Sequence, residues 1–381
     1  MVSNSTSNRC GNDVIYELIK DDNTLKIDGS GAMYDYSRHN PPPWIQYAAD
    51  IRKIIITGGV TRIGNFAFAY LKKLKSIILD KSVKIVGEYS FYRCKSIDSG
   101  SCSWDGLELI ETCGFYKANS INFTSIPPNI KEIGPLGLSC LKSLKRVILS
   151  DGIKRINEFA FGGCDSLIEI SFPSSVIITG GFLMGAHNLK VENITINGSD
   201  KGPYVLDKVE KILYNRVTGE LLGYFDFDAS EYTIPGYIKS IGSGAFYRCY
   251  NLRKIVIPDG IIKIGNKAFG QMRSLSCIIV PASVKEYGEQ LFINENTEYS
   301  VLETVIFRGN VKTIDKKMFL NASKLRNIVI MGSVDKIEES AFDTCNSLGL
   351  LFIGNNQTGS LLHIKKQKGD KMAEITNLFN E

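Results

Sequence analysis

Apolar residues recur along this chain in a 23-residue rhythm. The segments Ile51–Lys73, Leu74–Ser96, Leu144–Ser166 and Leu252–Ser274 fit one template, L-x-x-I-x-L-x-x-x-V-x-x-I-G-x-x-A-F-x-x-C-x-x. One column sets the register: Phe68, Phe91, Phe115, Leu138, Phe161, Met184, Phe246, Phe269, Phe292, Phe319 and Phe342. Its successive gaps are 23, 24, 23, 23, 23, 62, 23, 23, 27 and 23. Self-similarity at such a period marks a repeat architecture. The 62-residue gap holds an insertion over residues 190–231, and the 27-residue gap a short polar insert near Asn294–Ser300.

Each unit reads as strand, turn, short strand, short helix. In Leu74–Leu79 the residues Leu74, Ile77 and Leu79 make a buried edge, and the β-branched run favours a strand. Val83 and Val86 bracket a second extended piece, and Gly87 follows where a bend needs no Cβ. Ser90, Phe91 and Cys94 then suit one helical turn. A single unit buries too little to offset the entropy of ordering it, so neighbours must stack into a one-dimensional solenoid with a parallel sheet.

Such an array needs caps. Residues 10–50 form the N-terminal one: Val14–Ile19 and Thr24–Ile27 flank Asp21-Asp22-Asn23 as a hairpin, and Pro41-Pro42-Pro43-Trp44 delivers an aromatic to plug the first turn. Repeats are then expected over 51–189 and 232–353. Within the insertion, Val209–Tyr214 and Glu220–Phe225 flank Val217-Thr218-Gly219 as a hairpin projecting from the solenoid. Residues 354–381 form a polar C-terminal cap or tail whose amphipathic run, Met372–Phe379, is placed to cover the last turn.

Composition narrows the function. Of 381 residues, 44% are hydrophobic and 22% charged, which excludes disorder and collagen. The net charge of +5, from 45 basic and 40 acidic residues, is too mild to argue for nucleic acid. No run approaches the roughly 18 apolar residues of a membrane span. Residues 1–9 read as a polar leader, with no signal peptide visible in Met1–Asn12 and no lipid-anchor box at the other end. Nine cysteines without a CxxC exclude zinc-ribbon and thioredoxin readings. Cys94, Cys164, Cys249 and Cys345 share one column, too far apart to bridge, and read as packing thiols. Cys102 and Cys113, in the irregular third unit, are a candidate pair if the chain is exported. Asparagine sequons stand at Asn4, Asn122, Asn193, Asn197, Asn321 and Asn356. With three histidines and no HExxH, GxSxG, GxGxxG or Walker A loop, no enzyme, cofactor or metal is expected.

The template resembles the BspA-like, treponemal-type leucine-rich repeat family. The carrying residues are Ile63-Gly64…Ala67-Phe68, Ile85-Val86-Gly87…Ser90-Phe91-Tyr92-Arg93-Cys94 and Ile241-Gly242…Ala245-Phe246-Tyr247-Arg248-Cys249. Cys10-Gly11 with Gly29-Ser30-Gly31-Ala32-Met33, and the inserted Ile212-Leu213-Tyr214-Asn215, match two more features of it. The resemblance implies an α/β repeat solenoid: a leucine-rich repeat array with a curved parallel sheet, short second strands, short helices, a β-hairpin cap and one inserted hairpin. It also implies a surface or secreted location and adhesin-like binding of host extracellular matrix proteins.

In that geometry the second and fourth positions after the leading leucine face the open side. The fourth-position column includes Ile55, Ile78, Ser125, Ile148, Ser171, Val256, Ile279, Ile306 and Val329. It is either a hydrophobic stripe for a protein partner or the ordinary preference of parallel strands for β-branched residues. The first-position column holds Arg52, Lys75, Lys145, Lys190, Arg253 and Arg326, and six of its eleven members are basic. It is either a ladder for acidic matrix proteins or sulfated glycans, or a solvated face that discourages aggregation. Lys53, Arg146 and Lys254 extend it at the second position. The expected activity is a monomeric protein-binding module at the cell surface. A cytoplasmic leucine-rich scaffold is the other reading, suited to free thiols.

Overall fold

A computed structural model of the protein describes residues 8–98, 100, 102–121, 126–315, 317–339 and 341–354, and the backbone of Ser360–Lys365 and Glu374–Asn377. Asn4, Asn122, Ser125 and Asn356 lie outside the described residues, as does most of the polar leader. The chain forms two compact units, Met1–Gly202 and Pro203–Glu381, each a parallel β-solenoid of stacked coils.

In the first unit, Gly11–Ile19 runs antiparallel to Thr24–Met33, turning through Asn23 at φ 55°. Thr24–Ile27 then pairs parallel with the first strand of the array, Lys53–Ile56, while Ser30–Ala32 pairs with the second, Gly59–Ile63. One cap strand therefore starts both strand lines. Gly29 makes the bend between its halves, at φ +129° and so close to Asp13 that a Cβ would lie 2.0 Å from the carbonyl oxygen. Trp44 closes this end. It is fully buried, stacks on Phe68 at 5.7 Å and donates Nε1–H to Ala67 O at 2.8 Å, as a plug should.

The short second strands run unbroken from Gly59–Ile63 through Ile85–Val86, Leu109–Ile110, Glu132–Ile133 and Arg155–Ile156 to Ile177–Ile178. The first strands divide. Lys53–Ile56 pairs with Ser76–Leu79, an isolated bridge joins Ile78 to Ser103, and Arg146–Ile148, Glu169–Pro173 and Ile194–Asn197 form a separate sheet.

In the second unit the insertion is a three-stranded antiparallel meander, Tyr204–Asp207, Ile212–Asn215 and Glu220–Tyr224. It does not project as a hairpin. Glu220–Leu221 pairs parallel with Ser240–Ile241 and begins the second-strand line, and Ile212, Leu213 and Leu221 are buried. The apolar face of the meander needs cover, and the open coil needs a cap; each supplies the other. Ile194–Asn197, expected inside the insertion, instead pairs in register with Ile170–Pro173 as a repeat strand. Beyond Leu350–Ile353, Ser360–Lys365 and Glu374–Asn377 add two antiparallel strands to the sheet edge.

The short α-helices expected at the phenylalanine column do not occur among the described residues, and the segment around the column is a chain of tight turns. Alternate amides divide between two tasks. Phe66, Phe68 and Tyr70 donate to Glu88, Ser90 and Tyr92 of the next coil at 2.8–2.9 Å, whereas Ala67 and Ala69 donate to Gly64 and Phe66 within the coil. In most coils the residues two before and two after the column take left-handed φ, as at Tyr89 (54°) and Arg93 (60°), or Lys267 (53°) and Gln271 (59°). Each such non-glycine residue is strained by about 1 kcal/mol or more, which the inter-coil bonds offset. The same bonds correct the register of one unit: Phe161 and Gly163 donate to Phe182 and Met184, so the column residue is the buried Leu183 and not Met184. The template glycine also has another cause than bending. A Cβ at Gly64 or Gly87 would lie 1.8 or 2.5 Å from the carbonyl oxygen of Tyr34 or Ile63 in the preceding turn, at negative φ.

Inside, the column stacks: Phe68–Phe91–Phe115 at 5.4 and 4.9 Å in the first unit, and Phe246–Phe269–Phe292–Phe319 at 5.6–5.9 Å in the second. The polar insert near Asn294–Ser300 makes a 3-10 turn, Thr297–Tyr299, and Arg273 lies between the rings of Tyr250 and Tyr299, 4.2 and 4.0 Å from their centroids.

Two outcomes follow. Trp44→Ala is expected to lower unfolding stability in urea by about 3–5 kcal/mol, the range for emptying a buried aromatic site. Gln290→Gly, at φ 58°, is expected to be neutral or to stabilise by a few tenths to about 1 kcal/mol, whereas in a helix it would destabilise by about that amount. Equilibrium urea curves measure both.

Candidate interaction face

Strand parity positions the face. Ile54, Ile77, Val147, Ile255, Ile278, Val305 and Ile328 point into the coils and are buried, so the residues on either side point out. Ile78 and Ile148 in the first unit are 39% and 49% exposed, and Val256 and Ile279 in the second are 39% and 40% exposed. Ile55, Ile306 and Val329 are half-buried on the same outward parity. The described part of the fourth-position column thus forms an outward apolar stripe in each unit.

The cations divide into two groups. Arg146 pairs with Glu169 on the neighbouring strand, Nε to Oε2 at 2.9 Å, and Lys254 with Glu231 at 3.6 Å. These exposed pairs contribute about 0–1 kcal/mol each, and they neutralise part of the expected ladder. Arg52, Lys75, Arg253 and Arg326 are exposed and make no ion pair within 4 Å among the described residues, and Lys53 is half-buried. Lys145 of the first unit is also exposed. Their own position is held by backbone: Arg52 O accepts from Lys75 N at 2.7 Å, and Lys145 O from Ile168 N at 2.9 Å.

The sequons differ in availability. Asn193 is exposed, while Asn197 donates Nδ2–H to Ser171 Oγ at 2.7 Å and the half-buried Asn321 donates to Asn294 O at 2.8 Å. All nine cysteines are free thiols. Cys94 and Cys164 donate S–H to the column carbonyls of the preceding coil, Phe68 O at 3.0 Å and Leu138 O at 3.2 Å. Burial pushes the Cys94 thiol up to about 12. Cys102 and Cys113 face different neighbours: Cys102 donates to Asp98 O, whereas Cys113 is hydrogen-bonded to Tyr89 and not to Cys102.

Several polar features escaped the sequence pattern. Arg62 clamps Asp35 at 2.6 Å and Glu111 at 2.8 Å, joining the cap to a coil whose Glu111 lies 49 residues beyond Arg62. Sequence distance hides that cluster. Cys277 and Arg308 lie exposed on the outward side of the second unit, and writing out the second and sixth positions of the template would have shown both. No cluster of three or more metal-binding side chains occurs among the described residues, and none of their helices is long and apolar enough to cross a membrane.

The family profile described as BspA type leucine rich repeat region matches in six copies, over residues 46–136, 138–202 and 224–349. The chain belongs to the BspA-type leucine-rich repeat family. Solved structures agree with this BspA-type fold. A leucine-rich repeat protein from Eubacterium ventriosum is similar at TM-score 0.62 and 23% identity, covering 90% of this chain and 83% of that one. A leucine rich cell surface protein from Faecalibacterium prausnitzii gives 0.61 and 20%, covering 91% and 94%. The pneumococcal vaccine antigen PcpA gives 0.53 and 18%, covering 89% and 91%. These identities speak for the fold alone. Comparison with curated proteins found no match. BspA-type repeats are non-enzymatic repeat units of the kind found in protein-interaction modules.

Iodoacetamide is expected to alkylate the exposed Cys277 in the folded protein, slowly because burial of part of its surroundings raises its pKa, while Cys94, Cys164 and Cys249 react only after unfolding in urea. Peptide mass spectrometry resolves the two classes.

Proposed function

We propose that this BspA-type chain is an adhesin-like surface protein that binds a protein ligand, such as a host extracellular matrix protein, through the outward side of its first strands. The observation that carries this reading is the apolar stripe left outside a core that buries the alternate residues of the same strands. Beside it the exposed Arg52, Lys145, Arg253 and Arg326 favour acidic partners and speed their association. Ile78, Ile148, Val256 and Ile279 would supply contact area, and the paired Arg146 and Lys254 would sit within it. A sulfated glycan is the other ligand chemistry suited to the basic column, and Asn193 is the sequon best placed to carry a glycan. The surface location is supported by the bacterial cell-surface protein and the vaccine antigen among its structural neighbours.

A second reading, an intracellular scaffold using the same strands, is favoured by nine free thiols. Surface biotinylation of intact cells separates the two: labelling before lysis supports the first, and protection until lysis overturns it. For the face itself, the Arg52→Glu, Lys145→Glu, Arg253→Glu triple variant is expected to bind immobilised fibronectin or fibrinogen at least tenfold more weakly in surface plasmon resonance, with a shallower salt dependence. Unchanged binding would remove the basic column from the interface.

A further inference from the structure

One place on the outward side of the second unit differs from the rest. The first-strand sheet divides between Lys254–Val256 and Cys277–Val280, which belong to separate sheets. The same two coils stay bonded on their other sides: Lys263 and Ile264 pair with Glu286 and Tyr287, and Lys267, Phe269 and Gln271 donate to Glu289, Leu291 and Ile293 at 2.8–3.1 Å. The coils therefore part on one side only. Pro281 stands at the end of the second of these strands, the position that Pro173 and Pro258 hold in strands that stay paired with the coil before. Its counterparts Asp80, Arg308 and Met331 donate N–H to the coil before at 2.8–3.0 Å, and a proline has no N–H to donate.

Over this divide lies a groove of about 540 Å³. Val256 and Ile279, 39% and 40% exposed, form its floor with Pro258 and Pro281. Arg253 and Lys254 stand at one end and Arg308 at the other. Arg253 and Arg308 are exposed and make no ion pair within 4 Å among the described residues. Asp259 lies at the Arg308 end and balances its charge, so the net excess of cation is at the Arg253–Lys254 end, while Arg308 itself makes no ion pair within 4 Å among the described residues. Five strand positions, roughly 17 Å at about 3.3 Å per residue, and two coils, about 10 Å sideways at about 4.8 Å per strand, separate Arg253 from Arg308. An extended peptide of about six residues spans that diagonal.

We propose that this groove binds an extended segment of a partner protein with an apolar residue flanked by two acidic residues four positions apart. In an extended chain the first, third and fifth side chains share one face. The central apolar side chain then meets Val256 and Ile279, while the outer carboxylates reach Arg253 and Arg308, where a guanidinium fork suits a carboxylate. The proposal rests on the protein-binding reading above and gives its partner a chemistry.

The test selects a phage-displayed random dodecapeptide library on the full chain. Selected clones are measured as synthetic peptides by fluorescence anisotropy on the wild type, on Arg253→Glu/Arg308→Glu and on Arg52→Glu/Lys145→Glu. The expected result is enrichment of acidic residues four apart around an apolar one. Binding should weaken at least tenfold on Arg253→Glu/Arg308→Glu but not on the other variant, and bound peptide should slow alkylation of Cys277 in the wild type. The protection readout holds even if the double variant folds poorly. Peptides that bind without protecting Cys277 and that lose affinity on Arg52→Glu/Lys145→Glu would overturn the groove and leave the wider face standing. Failure to enrich any such sequence, or capture of heparin at the groove in its place, would overturn the proposal.

Discussion

No coil of this protein can satisfy its own backbone. On the first- and second-strand sides the outward-pointing amides of one coil find their acceptors in the coil before, as Lys75 and Lys84 do with Arg52 and Thr61, and on the turn side in the coil after, as Phe68 does with Ser90. A buried amide without a partner is costly, so the coils form together or not at all. Other features follow from this dependence. Glycine precedes the turn at Gly64 and Gly87 because the neighbouring carbonyl approaches too closely for a Cβ. Left-handed residues flank the phenylalanine column because only that backbone sends alternate amides along the stack. Cysteine follows the column at Cys94 and Cys164 because a buried thiol can serve a carbonyl that the turn leaves weakly bonded: the Leu71 amide reaches Phe68 O only at 3.5 Å, and Cys94 Sγ at 3.0 Å.

The same dependence makes the ends critical, and each unit begins with one device. An antiparallel β element turns its last strand parallel to the array and offers it a ready-made ladder: Thr24–Met33 in the first unit and Glu220–Tyr224 in the second. Trp44 adds a stacked ring to the first, and Tyr224 lies 5.3 Å from Phe246 in the second. The fold thus consumes the inward positions, the glycines and the turn residues. The outward positions of the first strands are left to vary, and that is where charge, apolar exposure and the divided sheet are found.

The 23-residue period, the inward parity of the strands, the N-terminal hairpin and the Trp44 plug were legible in the chain, because each depends on side chains whose apolar character recurs in phase. The turn segment was not. Ser90-Phe91…Cys94 has helical spacing, and a one-turn helix and a left-handed double turn bury the same side chains; they differ in where the amides go. Met184 was placed on the column by counting residues, while the hydrogen bonds of Phe161 and Gly163 place Leu183 there. The inserted segment read as a projecting hairpin because its own pattern carries no mark of the Ser240–Ile241 edge that it covers.

Sequence by itself determined that this is a stacked repeat protein, since periodicity is a local property that every unit carries. Tertiary structure alone decided what lies on the outer face. Whether Arg146 is free or bound to Glu169, whether Arg62 joins Asp35 to Glu111, and whether Lys254–Val256 and Cys277–Val280 pair or part depend on which residues of neighbouring coils come opposite one another. That adjacency is fixed by backbone hydrogen bonds between coils, and backbone groups are the same at almost every residue, so the residue pattern does not record them.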